Sequence, residues 1–385
     1  MNVSRKANIR ALQADLSNHK VAVLLGPRAS GKTSLAKEVE AAETWGQPGV
    51  VHHFDLNASK DLARLKNPEI MLSSLSGLII LDGVQRLPEL LPVLKVLLER
   101  KHASSRFLII GNASQNLLTG LSEALPKEVT FLEKSGFSLE EVGIDFMKNH
   151  WWRGGYPDAY LATSDEVAKQ WQEKYIRTFV ERDIPQLGIQ ITSLTLRRFL
   201  TMVAHCHGQV LKLSELARSL GCSEPTARRY LDLLTHTYMV RQLPPWKEDV
   251  KKRQVKAPKV YIRDSGICHA LLDIPTPVAL ESHPKIGASW EGYCLEQILA
   301  ITGDDNAYFW ATHGGAELDL LLFHEGQRLG FEFKYTEKPS TTKSMRSAQE
   351  DLQLDHLYVV HPGIHSYPLD EGITATSLPD FIRFF

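Results

Sequence analysis

The stretch Gly26–Thr33, GPRASGKT, decides the fold of the first part of this 385-residue chain. It fits the pattern G-x-x-x-x-G-K-[ST], follows the apolar run KVAVLL at residues 20–25, and leads into SLAKEVEAAE at residues 34–43. A strand, a glycine-rich loop and a helix in this order form a phosphate-binding loop, because successive backbone N–H groups face phosphate oxygens at the helix N-terminus. The sequence therefore predicts a nucleotide-binding α/β core.

Each polar residue of this loop has a predicted role. Lys32 would reach the β- and γ-phosphates of ATP, and the Thr33 hydroxyl would bind Mg²⁺. Asp82, at the end of the apolar run LIILD, is the predicted second ligand of that ion. Asn112 follows the run RFLIIG and either positions water near the γ-phosphate or ends the strand in an ordinary turn. The predicted nucleotide contacts in the loop are Gly26, Pro27, Arg28, Ala29, Ser30, Gly31, Lys32, Thr33 and Ser34.

Net charge, cysteine spacing and the lack of long apolar segments limit the classes of protein that fit this sequence. The 44 Lys and Arg residues against 45 Asp and Glu residues give a formal net charge of −1, so DNA binding would need a local basic patch. The widely spaced Cys206, Cys222, Cys268 and Cys294 form no C-x-x-C pair, which favours a reduced, cytoplasmic protein without a zinc framework. A signal-peptide core is missing and no segment reaches about 18 apolar residues, so we expect no membrane insertion.

A helix-turn-helix pattern occupies residues 208–243. Apolar residues recur at helical spacing, Gly221 stands at the predicted turn, and Ser214 and Ser223 are predicted N-caps. The second helix would present two arginines to phosphates or guanine edges. These residues are Arg228 and Arg229.

A basic segment follows this helix pair. Residues 246–263, WKEDVKKRQVKAPKVYIR, hold seven Lys or Arg and two acidic residues, which predicts a wing with salt-sensitive DNA affinity. A solvated loop and a protein-binding winged helix are the alternative interpretations. The candidate DNA contacts in this segment are Lys251, Lys252, Arg253 and Lys256.

Four charged residues in the last third have the pattern of a metal-dependent nuclease site. Glu291 lies in SWEGYCLEQILA, Asp319 ends or interrupts the strand ELDLLLF, and Glu332 and Lys334 alternate on the strand GFEFKY. In such a site Asp319 and Glu332 would hold Mg²⁺, and the lysine would stabilise charge or activate the attacking water. A solvated edge strand, or a nuclease-like fold kept as a scaffold or DNA clamp, are the alternatives.

The motifs follow one another along the whole chain. GPRASGKTSL is followed by LDGVQRLPEL, GNASQNLL, RGGYP and KAPKVYIRDSGI, and then by a WE, ELDLLL and FEFK series. In this order they resemble a widespread prokaryotic family of AAA+-type ATPases that carry a C-terminal domain of unknown function. The resemblance implies a RecA-like core with a parallel sheet, a helical lid, a winged helix and a C-terminal α/β domain of the PD-(D/E)xK nuclease fold.

Together, the patterns and the resemblance predict four regions. They are a P-loop core at residues 1–137, a helical lid or connector at 138–205, a winged helix-turn-helix at 206–275 and a nuclease-like domain at 276–385. Five short apolar runs in the core, KVAVLL, GVVHHFDL, LIILD, RFLIIG and VTFLE, predict buried parallel strands.

Two positions depart from the family pattern. Gly83 stands where AAA+ ATPases usually have a Glu that polarises water, and LPKEV at residues 125–129 replaces a common arginine finger. Glu89 would serve as the base only if the loop after Gly83 folds back. Arg153, in RGGYP, is either a lid residue that reads the nucleotide or a structural anchor of the turn.

The leading hypothesis is a cytoplasmic, Mg-ATP-dependent AAA+ protein whose P-loop core drives or gates contacts with duplex or branched DNA. The AAA+ relationship implies a homo-oligomer, with a ring as one form. Two alternatives stay open: an ATP-gated, Mg-dependent DNA nuclease, and a hydrolysis-poor, ATP-bound switch or regulator.

Overall fold

A computed structural model describes residues 3, 5–41, 50–87, 89–99, 105–112, 129–187, 189, 191–247 and 255–385. The chain forms two compact units, residues 1–137 with 236–238, and residues 138–235 with 239–385. The first boundary lies where the sequence predicts the end of the P-loop core. The predicted lid, winged-helix and nuclease-like regions belong to the second unit, apart from residues 236–238 of the predicted winged helix.

A five-stranded parallel sheet forms the centre of the first unit. Its strands are β1 (Val21–Leu25), β2 (Val51–Asp55), β3 (Leu78–Asp82), β4 (Arg106–Gly111) and β5 (Val129–Glu133), in the order β2-β3-β4-β1-β5. The accompanying helices are α1 (Lys6–Asn18), α2 (Lys32–Ala41), α3 (Ser59–Arg64), α4 (Pro68–Ser73) and α5 (Leu90–Glu99). The predicted parallel α/β core and its five strands are thus confirmed, although β2 and β5 are only partly buried.

Apolar side chains cover this sheet on both faces. Alternate residues of a strand point to opposite faces, so Val21 and Val23 join the cluster that contains Leu94 of α5. Ala22 and Leu24 instead join the cluster formed with helices α1 and α2. The carboxyl ends of β1, β3 and β4 meet at one edge of the sheet, where ligands of open α/β folds bind.

Helices make up the first part of the second unit. They are α6 (Leu139–Val142), α7 (Met147–Arg153), α8 (Pro157–Tyr160), α9 (Asp165–Thr178) and α10 (Ser193–His205). The helical pattern predicted for residues 138–205 is confirmed. A single π turn, Phe179–Asp183, extends α9.

A helix pair and a small antiparallel sheet follow. The elements are β6 (Gln209–Val210), α11 (Leu213–Leu220), α12 (Glu224–His236), β7 (Val240–Leu243) and β8 (Lys259–Ile262), with the strand order β6-β8-β7. Gly221 adopts a left-handed backbone with φ 73°, which confirms the predicted turn. The prediction that Ser214 is an N-cap is wrong, because α11 begins at Leu213 with Lys212 before it. Ser223 does cap α12, since its Oγ accepts from the Thr226 N–H at 3.3 Å.

The C-terminal part combines a six-stranded mixed sheet with five helices among its described residues. The helices are α13 (Ser265–Leu271), α14 (Pro277–Glu281), α15 (Ile286–Thr302), α16 (Lys343–Leu352) and α17 (Leu378–Phe384). The strands are β9 (Ala307–Ala311), β10 (Glu317–His324), β11 (Gln327–Phe333), β12 (His356–His361), β13 (Tyr367–Asp370) and β14 (Ile373–Ser377). Their order is β13-β14-β12-β11-β10-β9, with β9, β10 and β11 antiparallel and β11 parallel to β12. Among the described helices, none has both the length and the apolar character that a bilayer span requires.

Candidate functional site

The phosphate-binding loop lies between β1 and α2. Gly31 has φ 87° and Ala29 has φ 62°, so the chain turns through left-handed conformations before α2 begins at Lys32. At Gly26, a Cβ atom would lie 2.1 Å from the carbonyl oxygen of Lys134, so no larger residue fits this backbone. The backbone of the loop is therefore fixed next to the N-terminus of α2. The helix N-terminus favours binding of an anion there.

The Lys32 side chain is buried inside the loop. Its Nζ donates to the carbonyl oxygens of Gly26 at 3.0 Å and Pro27 at 2.6 Å. Burial lowers the pKa of Lys32 to about 8, although the Asp82 carboxylate opposes this shift. An anion beside the ammonium would stabilise its charged form.

Thr33, in the first turn of α2, and Asp82, at the end of β3, contact each other at the edge of the sheet. The Thr33 hydroxyl donates to Asp82 Oδ2 at 2.6 Å. Asp82 is 7% exposed, and burial raises the pKa of its carboxyl group. A hydroxyl and a carboxylate are the hard oxygen donors that Mg²⁺ accepts alongside phosphate and water. These two residues therefore fit the magnesium site that the sequence predicts.

Gly83 and the two residues considered in place of the usual catalytic glutamate, Asn112 and Glu89, follow different strands or precede a helix of the first unit. Gly83 has φ 89°, and its N–H donates to the Ile110 carbonyl oxygen at 2.8 Å. Asn112 directly follows β4, the strand between β1 and β3. Glu89 is exposed and stands just before α5. Asn112 thus lies at the sheet edge that carries the phosphate-binding loop, and residues 125–128 of LPKEV lie outside the described residues.

Arg5 contacts the phosphate-binding loop although the sequence did not mark it. Its Nη1 donates to the Gly31 carbonyl oxygen at 2.7 Å and its Nη2 to that of Ser30 at 3.4 Å. The guanidinium lies 5.1 Å from the centre of the Phe137 ring, and Arg5 is only 4% exposed. This buried arginine therefore fixes the last residues of the loop before α2.

In the second unit, the predicted DNA-contacting arginines lie on one helix. Arg228 and Arg229 are both exposed on α12. Lys247 and Lys256 are exposed at the two ends of the segment between β7 and β8. Lys251, Lys252 and Arg253 lie outside the described residues.

Two residues of this basic segment, Trp246 and Val255, pair with β9 through backbone hydrogen bonds. The Trp246 N–H donates to the Phe309 carbonyl oxygen at 2.6 Å, and the Val255 N–H donates to that of Ala311 at 3.0 Å. The Trp246 ring lies 4.9 Å from the Tyr308 ring. Trp246 and Val255 are thus attached to β9, the edge strand of the six-stranded sheet.

Not every cation of residues 246–263 contributes to an exposed basic patch. Lys259 is 2% exposed and bonds to carboxylates, and the Arg263 side chain donates to Glu296 Oε2 at 3.1 Å. Arg241 contacts the same Glu296, with its Nη2 3.1 Å from Oε2. The prediction of seven basic residues on a wing is therefore wrong for Lys259 and Arg263, because buried acidic partners hold both.

The four predicted nuclease residues come together at α15, β10 and β11. The Lys334 Nζ donates to Glu332 Oε2 at 2.7 Å, and Asp319 Oδ2 accepts from the Phe333 N–H at 3.1 Å. β10 runs unbroken through Asp319, so the prediction that Asp319 ends or interrupts the strand is wrong, although the pairing of β10 with β9 shifts register between Leu318 and Leu321.

Lys259, from β8, joins these residues. Its Nζ lies 2.9 Å from Asp319 Oδ1, 3.3 Å from Glu291 Oε1 and 2.5 Å from Glu317 Oε1. Tyr261, two residues further along β8, donates its hydroxyl to Glu291 Oε1 at 2.7 Å. The sequence did not identify Lys259 or Tyr261 as parts of this cluster.

Burial and charge set the protonation of this cluster. Burial raises the pKa of Glu291 to about 7 and that of Glu332 to about 8, and the charge of Asp319 adds to both shifts. Burial also acts to raise the pKa of Asp319, but Lys259 and Lys334 outweigh it and hold that pKa below its ordinary value. Burial alone would lower the pKa of Lys259, yet Asp319 and the other acidic neighbours raise it well above its ordinary value. Lys259 and Asp319 thus form a fully charged pair at neutral pH.

Arg153 has contacts typical of a structural anchor. Its Nε donates to Asp165 Oδ1 at 2.7 Å, and its Nη1 donates to the carbonyl oxygen of Ala162 at 2.6 Å. The adjoining Gly155 N–H donates to Asp264 Oδ2 at 2.8 Å. RGGYP and RDSGI therefore interlock through Asp264, and Arg153 holds α7 to the start of α9.

Comparison with protein families divides the chain into three segments. Residues 18–143 match an AAA domain. Residues 144–278 and 286–381 match two domains of unknown function, DUF8612 and DUF4143. The phosphate-binding loop, Asp82 and Asn112 all lie in the AAA segment.

Two mycobacterial proteins resemble the chain over nearly all of its length. Rv2008c of Mycobacterium tuberculosis and Mb2031c of Mycobacterium bovis, both described as uncharacterized, are each 45% identical over 375 residues. The match spans 97% of this chain and 84% of each relative. Among solved structures, the Walker-type ATPase PABY2304 of Pyrococcus abyssi has a TM-score of 0.49 at 13% identity, over 70% of this chain and 96% of that chain.

Proposed function

Because this chain belongs to one family with the mycobacterial proteins Rv2008c and Mb2031c and carries an AAA-type ATPase domain, we propose that it is a Mg-ATP-dependent, DNA-binding ATPase. In this proposal the first unit binds and turns over ATP, and the second unit contacts duplex or branched DNA. ATP binding and turnover change the strength of those DNA contacts.

The hydrogen bond between Thr33 and Asp82 carries the nucleotide part of this proposal. At 2.6 Å it brings the end of β3 to the start of α2, beside the loop that holds Lys32. Thr33 and Asp82 would hold Mg²⁺, which neutralises charge on the β- and γ-phosphates. The Lys32 ammonium would exchange its two backbone carbonyl partners for phosphate oxygens, with which it makes stronger charge-assisted hydrogen bonds.

A slow rate of hydrolysis is the expected consequence of Gly83. The residue directly after Asp82 is Gly83, which has no carboxylate. Asn112 would orient the attacking water through its side-chain amide without accepting a proton. An amide is a weaker catalyst than a general base, which contributes about 10²–10⁴-fold. Gly83 therefore favours a second candidate function, an ATP-bound switch or regulator with very slow turnover.

The order of elements between α10 and β8 supports a winged-helix interpretation of the DNA contacts. The order is helix, strand, two helices and two strands, with β8 central in the small sheet. In a helix-turn-helix module the second helix enters the major groove, and here that helix carries the exposed Arg228 and Arg229. Lys247 and Lys256 would contact phosphates beside it, together with Lys251, Lys252 and Arg253.

We further propose that the chain acts as a homo-oligomer, with a ring as one form. AAA+ sites usually lie between subunits, so that a neighbour can complete the site. LPKEV at residues 125–129 has no arginine where many relatives have an arginine finger, so a neighbouring subunit would complete the site with a different residue. Light scattering with and without Mg-ATP tests this part, and a monomer under both conditions would contradict it.

ATP turnover in the presence of DNA tests the proposal as a whole. Wild type, Lys32→Ala and Lys37→Ala are assayed with Mg²⁺, alone and with single-stranded, duplex and four-way-junction DNA. Lys37 is an exposed lysine on the same helix and serves as the matched control. We expect DNA-stimulated turnover in wild type and Lys37→Ala and none in Lys32→Ala. Unchanged turnover in Lys32→Ala would refute the assignment of the loop, and tight ATP binding without turnover would favour the switch.

A further inference from the structure

A buried lysine lies at the centre of the nuclease-like carboxylate cluster. Lys259 is on β8, the middle strand of the small sheet, and is only 2% exposed. Its Nζ is within 3.3 Å of Glu291 Oε1 and within 2.9 Å of Asp319 Oδ1. The ammonium thus contacts two of the residues that the sequence pattern associates with a metal site.

The chain's own donors also bond to the second oxygen of Asp319, to Glu332 and, a second time, to Glu291 Oε1. Asp319 Oδ2 accepts from the Phe333 N–H at 3.1 Å, and Glu332 Oε2 accepts from Lys334 at 2.7 Å. Glu291 Oε1 accepts from the Tyr261 hydroxyl at 2.7 Å. Both oxygens of Asp319, which the sequence pattern pairs with Glu332 as metal ligands, therefore already accept hydrogen bonds within the protein.

A divalent cation would compete with this ammonium for the same oxygens. Mg²⁺ binds carboxylate oxygens at about 2.1 Å and demands near-octahedral geometry. With Lys259 in place, a metal ion shared by Glu291 and Asp319 would lie against a like charge in a buried environment, where repulsion is poorly screened. The Lys259 side chain is surrounded by protein, with the Phe309 ring centre 5.8 Å from Nζ. The residues present therefore do not fit a Mg²⁺ ion shared by Glu291 and Asp319, and an ion shared by Asp319 and Glu332 would displace a donor that Asp319 already has.

We propose that Lys259 is a built-in cation of the nuclease-like cluster, which takes the place of a divalent metal between Glu291 and Asp319. The cluster then stabilises the packing of β8 against α15 and β10 and performs no metal-dependent hydrolysis. This inference is independent of the proposed ATPase function, since it concerns residues of the second unit alone. It argues against the nuclease alternative left open by the sequence.

Metal binding by the wild-type chain is the first test. Mn²⁺, an electron-paramagnetic probe for Mg²⁺ sites, is titrated into full-length wild type and Asp319→Asn without nucleotide. We expect the two titrations to superimpose, because Asp319 is already paired with Lys259. An Mn²⁺ site present in wild type and lost in Asp319→Asn would overturn the proposal.

Removal of the lysine is the second test. Lys259→Met keeps an unbranched side chain, one atom shorter, and removes its charge, and Lys259→Arg keeps the charge. We expect Lys259→Met to gain one Mn²⁺ site that the double variant Lys259→Met/Asp319→Asn lacks, whereas Lys259→Arg gains none. A folded Lys259→Met that binds no additional Mn²⁺ would contradict the claim that the ammonium stands in for a metal. If Lys259→Met does not fold, the wild-type and Asp319→Asn comparison decides the question.

Discussion

The hydroxyl of Thr33 donates a hydrogen bond to the carboxylate of Asp82 at 2.6 Å, although the two residues are 49 positions apart in the chain. Thr33 lies in the first turn of α2, and Asp82 is the last residue of β3. Their contact is formed at the edge of the sheet where the loop after β1 also lies. The site therefore depends on residues that hold the loop and the end of β3 in place. Arg5, which contacts the loop, and Gly83, which follows β3, are two of them.

Replacing Arg5 by Ala should loosen the phosphate-binding loop. The change removes the donors to the carbonyl oxygens of Ser30 and Gly31 and leaves a cavity beside Phe137. We expect a loss of about 1–3 kcal/mol in the free energy of unfolding, together with weaker ATP binding. Chemical denaturation and titration with a fluorescent ATP analogue measure the two effects. Lys6→Ala, at an exposed neighbour, is the control, and equal ATP affinity in Arg5→Ala and Lys6→Ala would contradict the role of Arg5.

Introducing a glutamate at Gly83 should not restore rapid hydrolysis. The left-handed backbone, φ 89°, disfavours a residue with a Cβ, and that Cβ would lie 2.9 Å from Asn57 Nδ2. We expect Gly83→Glu to lose about 1–2 kcal/mol of stability without a gain in ATP turnover. Gly83→Asn should lose less, because Asn adopts this conformation more readily. Faster turnover in Gly83→Glu at unchanged melting temperature would show that the position tolerates a catalytic base.

Neutralising the basic segment should weaken DNA binding and its dependence on salt. Each phosphate contact contributes about 0.9 to the slope of log affinity against log salt, so Lys251→Ala/Lys252→Ala/Arg253→Ala should reduce that slope by about 3. Fluorescence anisotropy at several salt concentrations measures the slope. The control triple variant changes exposed lysines of the first unit, Lys37, Lys60 and Lys66. An equal decrease in both triple variants would indicate a general effect of charge and no localised DNA site.

Two buried histidines predict a loss of stability in mild acid. Burial lowers the pKa of His207 to about 3 and that of His269 to about 4. In the unfolded chain both titrate near about 6.5, so the unfolded state binds more protons as the pH falls below that value. The contribution of these histidines to the free energy of unfolding should therefore decrease from about pH 6.5 towards pH 4, by up to about 1.4 kcal/mol per pH unit for each. Glu291 and Glu332, whose pKa values are raised in the folded state, act in the opposite direction, so the histidine contribution is measured as a difference between variants.

Denaturation of wild type and His207→Gln between pH 7 and pH 5 measures this effect. His207 Nδ1 accepts from the Ile262 N–H at 2.9 Å, and a glutamine carbonyl oxygen can replace that acceptor without titrating. We expect the free energy of unfolding of wild type, relative to that of His207→Gln, to decrease between pH 7 and pH 5. An identical pH dependence in the two proteins would mean that His207 does not control acid stability.

Local patterns predicted the parts of the fold that depend on neighbouring residues. The phosphate-binding loop, its flanking strand and helix, and Asp82 follow from contiguous residues. The apolar runs of the core marked all five strands, of which β1, β3 and nearly all of β4 are buried, whereas β2 and β5 are only partly buried. Strands β13 and β14 were missed. YPLD and ITATS are short and rich in polar residues, so they show no apolar run and pair only within the assembled sheet.

Long-range ion pairs were beyond what the sequence could predict. Arg5 meets a loop 26 residues away, and Lys259 meets Asp319 across 60 residues of chain. In the sequence Lys259 was one more cation of a basic stretch, with no feature that separates it from Lys256. Only the strand order, which places β8 in the middle of its sheet, turns one of these lysines inward and leaves the other exposed.

The affinity for DNA with and without Mg-ATP tests the central claim most directly, since coupling between the two sites is required whether turnover is fast or slow. Wild type and Lys32→Ala are titrated with duplex and junction DNA, in Mg²⁺ alone and in Mg²⁺ with ATP or a non-hydrolysable analogue. We predict that nucleotide changes the Kd of wild type by about 5–150-fold and leaves that of Lys32→Ala unchanged. Equal DNA affinity in the presence and absence of bound nucleotide, or no DNA binding at all, would contradict the account.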